Sequence, residues 1–217
     1  DPCRVLFPRQ AAGAPKEAVI VTTSGGVVGG DRLRFEIGAT AGCVATVTTQ
    51  AAEKIYRAAG ANSEIDVTVS AQNCEFLEWM PQETILFDGA RLRRRTQLEL
   101  HGTAHGLAGE IVVFGRRARD EKFTYGILHD DWRVFQDGRL VWADALHLNR
   151  DIGAHRLQAH DVEIDRPGSD RAAARQRDVS LAETGKQRAE HEYRRTHRLD
   201  QFVGRLEMID LARVDLD

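Results

Sequence analysis

The feature that most constrains this chain is a two-residue alternation that returns again and again, broken by turn residues about every ten positions. Glu64-Ile65-Asp66-Val67-Thr68-Val69 is its clearest instance: three polar residues face one way and three β-branched apolar residues the other. Further strands are expected at 18–23, 33–37, 44–49, 92–100, 107–114 and 123–128. Residues 133–136 and 139–142 bracket Asp137-Gly138. That pair predicts a two-residue hairpin, because a type I′ turn requires positive φ at both central positions. One short helix is expected over 50–57, with Glu53 and Arg57 paired across one turn. No internal sequence repeat is evident. The expected fold is mainly β, with layered antiparallel sheets and one or two short helices.

Composition narrows the function classes. In 217 residues, 30 Lys and Arg stand against 33 Asp and Glu, for a net charge of −3. A nucleic-acid binder usually carries a basic excess, so that partner is not expected. The longest apolar runs cover four residues (18–21 and 111–114), far below a membrane span. The chain opens on no secretory signal, which makes the cytoplasm the expected location. Cys3, Cys43 and Cys74 lack the paired spacing of a disulfide framework or a closed zinc site, and read as small buried hydrophobes.

The chain changes character near residue 150. Residues 151–217 hold 26 of the 63 charged side chains, whereas all three Trp and 15 of the 19 Gly precede them. Stretches such as Arg171-Ala172-Ala173-Ala174-Arg175-Gln176-Arg177 are too polar to bury a face. The expectation is a β-rich body over 1–150 and a weakly ordered charged tail over 151–217. Only residues 202–216 regain some apolar periodicity.

Catalytic patterns are absent from the sequence. It has no G-x-S-x-G elbow and no H-E-x-x-H, and Gly102 and Gly106 argue against a helix aligning His101 with His105. The loop Ser24-Gly25-Gly26-Val27-Val28-Gly29-Gly30-Asp31 lacks the order of a phosphate or dinucleotide loop and lies between two strands. It reads as a hairpin connection, or as backbone and carboxylate crowding against a partner or ion. Glu78 lies between apolar neighbours in 75–83, Glu110 opens the run 111–114, and Asp144 follows Trp142-Ala143 in a strand. Acids in or beside apolar strands need a partner or a task. By themselves these features suggest a binding or scaffolding protein more than an enzyme.

Five segments resemble the urease accessory protein UreD family, called UreH in some bacteria. They are Pro2-Cys3-Arg4-Val5-Leu6-Phe7-Pro8-Arg9, residues 24–33, residues 48–57, the long stretch 77–90, and residues 137–148. Within them the family-motif and partner-binding candidates are Gly25, Gly26, Gly29, Gly30, Gln50, Lys54, Tyr56, Glu78, Trp79, Pro81, Gln82 and Asp88. The resemblance implies a non-enzymatic scaffold that binds apo-urease and the accessory proteins UreF and UreG, the latter a GTPase. It implies no tightly bound cofactor, only transient nickel moving through an internal passage to the urease active site. The passage carboxylates that match by position are Asp31, Glu53, Glu110 and Asp144. Carboxylate oxygens hold Ni²⁺ more loosely than imidazole or thiolate, so spaced acids suit a passing ion. Against the family pattern, the chain begins some tens of residues late, and the similarity stops after Asn149. The tail is therefore expected to be divergent or frameshifted. The competing reading is a β-rich module, unrelated to urease, that binds a small ligand or a protein.

Overall fold

The structure is a computed structural model that describes residues 2–151 and 202–205. Fourteen strands follow in chain order: β1 (Cys3–Leu6), β2 (Lys16–Thr22), β3 (Arg32–Ala39), β4 (Val44–Thr49), β5 (Glu53–Ile55), β6 (Ser63–Gln72), β7 (Phe76–Trp79), β8 (Thr84–Leu86), β9 (Arg91–His101), β10 (Gly106–Ala108), β11 (Glu110–Phe114), β12 (Tyr125–Gln136), β13 (Arg139–Asp151) and β14 (Phe202–Arg205). Among the described residues a single 3₁₀ turn, Arg117–Arg119, joins them.

These strands build a coil with three faces. One face stacks β2, β4, β7 and β10 in parallel. The second stacks β5, β8 and β11, and the third β3, β6, β9 and β12. Each turn of the chain lays one strand on each face in the same order, so a structural unit recurs about every 30 residues, as in a solenoid. Antiparallel pairing occurs where β1 joins β2, where β13 folds back on β12 and where β14 lines β11.

The expectation of a mainly β fold is met, but layered antiparallel sheets are not what forms. A turn every ten residues suits a coil corner as well as a hairpin, and neighbouring strands here come from successive turns of the chain. The stretch 107–114 divides accordingly into β10 and β11 on different faces. The unit repeats in space without repeating in sequence, because each face asks only for alternation.

Two local corrections follow. Residues 50–57 form no helix: the chain bends at Gln50 and enters β5, where buried Ile55 pairs with Leu86. Arg57 consequently turns away from Glu53 and reaches Asp88 at 3.1 Å. The glycine-rich loop is not a hairpin, since β2 and β3 belong to different sheets. Its Val27 instead bridges to Ile55 and supplies the second face of the first coil. The loop crowds its own chain: at Gly26 (φ 145°) a Cβ would sit 2.6 Å from the Lys54 carbonyl, and at Gly29 2.7 Å from Ala58.

The Asp137-Gly138 hairpin forms as expected, with φ of 49° and 77°. The core fills the coil with inward residues such as Ile55, Leu86, Leu92, Leu98 and Leu128. Cys74 is buried, while Cys3 and Cys43 are half-buried; all three are free thiols. Of the tail, Asp151 ends β13 and Phe202–Arg205 forms β14; the remainder of 151–217 lies outside the described residues.

Candidate functional site

The inward side chains of β9 and β12 are set by alternation alone. On β9 the inner row is Leu92, Arg94, Thr96, Leu98 and Leu100; on β12 it is Leu128, Asp130, Trp132 and Val134. The parallel register puts Arg94 beside Asp130 and Thr96 beside Trp132. Arg94 clamps Asp130 with two hydrogen bonds, Nε to Oδ1 at 3.0 Å and Nη2 to Oδ2 at 2.6 Å. It also donates to Thr84 Oγ1 at 2.8 Å and pairs with Glu110. Glu110 in turn accepts from Trp132 Nε1 at 2.9 Å. Burial by itself would push Arg94 down, but Asp130 and Glu110 outweigh it and hold the guanidinium charged, above its ordinary range. This cluster is almost fully removed from solvent.

It borders a cavity of about 40 Å³, room for a few waters or one partly hydrated ion. Arg94, Thr84, Thr96 and Glu110 line one side, and Glu53 from β5 reaches it as well. Trp79, Pro81, Gln82, Thr49 and the apolar Phe35, Ile65 and Val67 complete the wall. Glu53 accepts from Thr22 Oγ1 at 3.0 Å. Burial pushes its carboxyl above the usual glutamate value, while the Thr22 hydroxyl and the Lys54 N–H pull partly the other way.

The structure thus brings together two of the four predicted acids, Glu53 and Glu110, with Trp79, Pro81 and Gln82 from the long motif. Asp31 and Asp144 do not line the cavity. Asp31 Oδ2 accepts the Val28 N–H at 2.9 Å and tightens the glycine loop. Asp144 is buried on β13, in register with Trp132, and accepts the Ala145 N–H at 2.7 Å. Glu78 is half-buried on the opposite face from Leu77 and Trp79, where Thr46 donates to it at 2.7 Å. Gln50 and Lys54 are exposed. Gly25 and Tyr56 lock the loop to β5, Tyr56 Oη donating to the Gly25 carbonyl at 3.0 Å. Gly30 takes φ 94° at the loop's end.

Asp88 is a corner pin. Burial would raise its carboxyl, but hydrogen bonds from the Thr124 hydroxyl and N–H, the Tyr125 N–H and the Arg57 charge bring it below the usual carboxylate range. Asp88 Oδ1 takes both Thr124 donors at 2.7 Å, joining the corner after β8 to the start of β12.

Arg94 and Asp130 escaped the sequence reading. Arg93-Arg94-Arg95 and Asp130-Asp131 look like solvated charge, yet Arg94 and Asp130 share the alternation phase of Leu92 and Leu128. Among the described residues no three His, Cys, Asp or Glu side chains converge as a metal-holding group. No helix among them is long and apolar enough to cross a membrane, which says nothing of a β-barrel.

The described residues form a mainly parallel β-coil with buried acids, and comparison with known proteins makes the class specific. The family model described as UreD urease accessory protein matches residues 1–163, and the chain belongs to that family. The match runs past residue 149, where the resemblance in the sequence alone stops. Among its relatives, a urease accessory protein UreD of Magnetococcus marinus is 51% identical over 158 residues, covering 73% of this chain and 54% of that protein. A namesake from Rhodopseudomonas palustris (strain BisB18) is 47% identical, covering 72% and 57%. Urease accessory protein UreD 3 of a Bradyrhizobium (strain BTAi1) is 46% identical, covering 69% and 54%. The chain therefore spans about half the length of the curated relatives it matches. A module unrelated to urease is set aside by this membership.

Proposed function

We propose that the chain acts in urease maturation as a non-enzymatic, cytoplasmic scaffold that binds apo-urease together with UreF and UreG and passes nickel toward the urease active site. The observation that supports this reading is the meeting of Glu53 and Glu110, from two different coils, on one partly open pocket. Family membership supports the link to urease, and the relatives bear the name accessory protein. Nickel is cargo in this account. Carboxylate oxygens are hard, weak ligands for it, so an ion held by Glu53 exchanges rather than stays. Arg94 opposes any cation at its own end of the cavity and leaves Glu53 as the acid best placed to take one. Asp31 and Asp144 would act before or after this chamber.

The test is urease activation in cells carrying the other accessory proteins, with capture of apo-urease measured alongside. Alanine is placed at Asp31, Glu53, Glu110 and Asp144, singly and together, in this chain and at matching positions of a longer relative. The reading expects capture to persist for Glu53→Ala while activation falls. Full activation by the combined variant would refute the passage.

A further inference from the structure

We infer that His129 and His147 form a surface site for a divalent transition-metal ion, separate from the cavity and independent of the passage reading. The two histidines stand directly opposite each other in the antiparallel β12–β13 pair. Their ring centroids are 4.9 Å apart with the planes tilted by 57°. Residues so placed have Cβ atoms roughly 4.5–5.5 Å apart, and small χ rotations bring both rings onto one ion at about 2.0–2.1 Å. Both strands are long and paired on either side of this position, so their backbones are already fixed.

The two imidazoles are the ligands, and a carboxylate stands beside one of them. Asp131 lies two residues beyond His129 on the same face, its Oδ1 3.3 Å from His129 Nε2. A carboxylate this close to a ligating histidine can act as an outer partner that holds the ring in place for a metal. The site then offers two imidazole nitrogens and a supporting carboxylate, with water filling the other positions. Both rings reach solvent: His147 is exposed and the His129 side chain is 35% exposed.

The opposite neighbour tempers affinity. Arg93 on β9 is in register with His129 and exposed, free to extend into solvent but repelling a cation when it does not. Imidazole selects nickel, copper and zinc over magnesium and calcium. With two protein ligands and a nearby guanidinium, the site captures and releases such an ion instead of retaining it.

The experiment titrates the full chain with NiCl₂, reading the histidine imidazole resonances by NMR and heat by calorimetry. Paramagnetic Ni²⁺ should broaden the His129 and His147 signals together, before those of His101 and His105. His129→Gln or His147→Gln should each weaken binding more than tenfold, and Asp131→Asn by about tenfold. His101→Gln should leave it unchanged, and MgCl₂ should give no response. Circular dichroism confirms that each variant is folded, as expected for exposed positions. Simultaneous broadening of His101, His105, His129 and His147, or a His129→Gln/His147→Gln double variant that binds Ni²⁺ like the parent, would overturn the site.

Discussion

Glu53 and Glu110 border the same cavity, yet the protein holds them in opposite ways. Glu110 meets a buried guanidinium and an indole N–H, and Asp130 grips that guanidinium from the next coil. Glu53 rests on the Thr22 hydroxyl, and burial pushes its carboxyl upward. The first arrangement fixes charge in place and holds strands together. The second leaves an acid whose charge burial disfavours unless a cation accompanies it. An acid's place on a cavity wall therefore does not define its role; its partners do.

The contrast breaks most easily at Asp130. Replacing it with Ala leaves the buried Arg94 with Glu110 and Thr84 but without its bidentate partner, and removing one partner of a buried pair costs about 3–5 kcal/mol. Denaturant unfolding should show a loss of that size. A loss below about 1 kcal/mol would mean that water or Glu110 compensates freely and that the cluster is not a clamp.

A milder break is Trp132→Phe, which preserves most of the packing but deletes the donor to Glu110. The expected cost is about 1–2 kcal/mol, measured in the same way. The double variant with Glu110→Gln should lose less than the sum of the two single losses, since both changes act on the Trp132–Glu110 contact.

Glu53 sharpens the comparison from the other side. Its raised carboxyl means that the folded chain keeps a proton the unfolded chain has already released, between the ordinary glutamate value and the folded one. Across that window the stability contributed at this position falls as pH rises. Glu53→Gln should therefore unfold at equal or slightly higher denaturant than the parent at neutral pH, with the difference vanishing at acidic pH. A variant clearly weaker at neutral pH would place Glu53 with Glu110 as a structural acid.

The sequence disclosed the strands and the site unequally, for physical reasons. Alternation and turn residues mark strands reliably, and Asp137-Gly138 specifies its own hairpin through φ. Which strands pair is a different matter, because a corner between faces uses the same residues as a hairpin. The glycine loop shows this: Gly26 and Gly29 are needed for close approach, but the sequence does not state that the approach is to Lys54 and Ala58. Glu53, Trp79, Pro81 and Gln82 were legible as motif residues and Glu110 as the acid opening the run 111–114, and the coil gathers them. Asp31 and Asp144 were legible too, yet their positions serve a loop and a buried strand rather than the cavity wall. Arg94 was hidden inside a run of arginines, where composition suggests a solvated surface and only the alternation phase assigns it to the interior.

The central claim is that Glu53 serves nickel transfer while Glu110 is held first by the fold. Its most direct measurement is nickel bound per urease active site after activation with Glu53→Gln, made in this chain and in a longer relative. Complex formation with apo-urease and thermal stability are matched to the parent. The account predicts a several-fold drop in nickel loading at parental stability and parental complex levels. Undiminished nickel loading by Glu53→Gln under those matched conditions would contradict it.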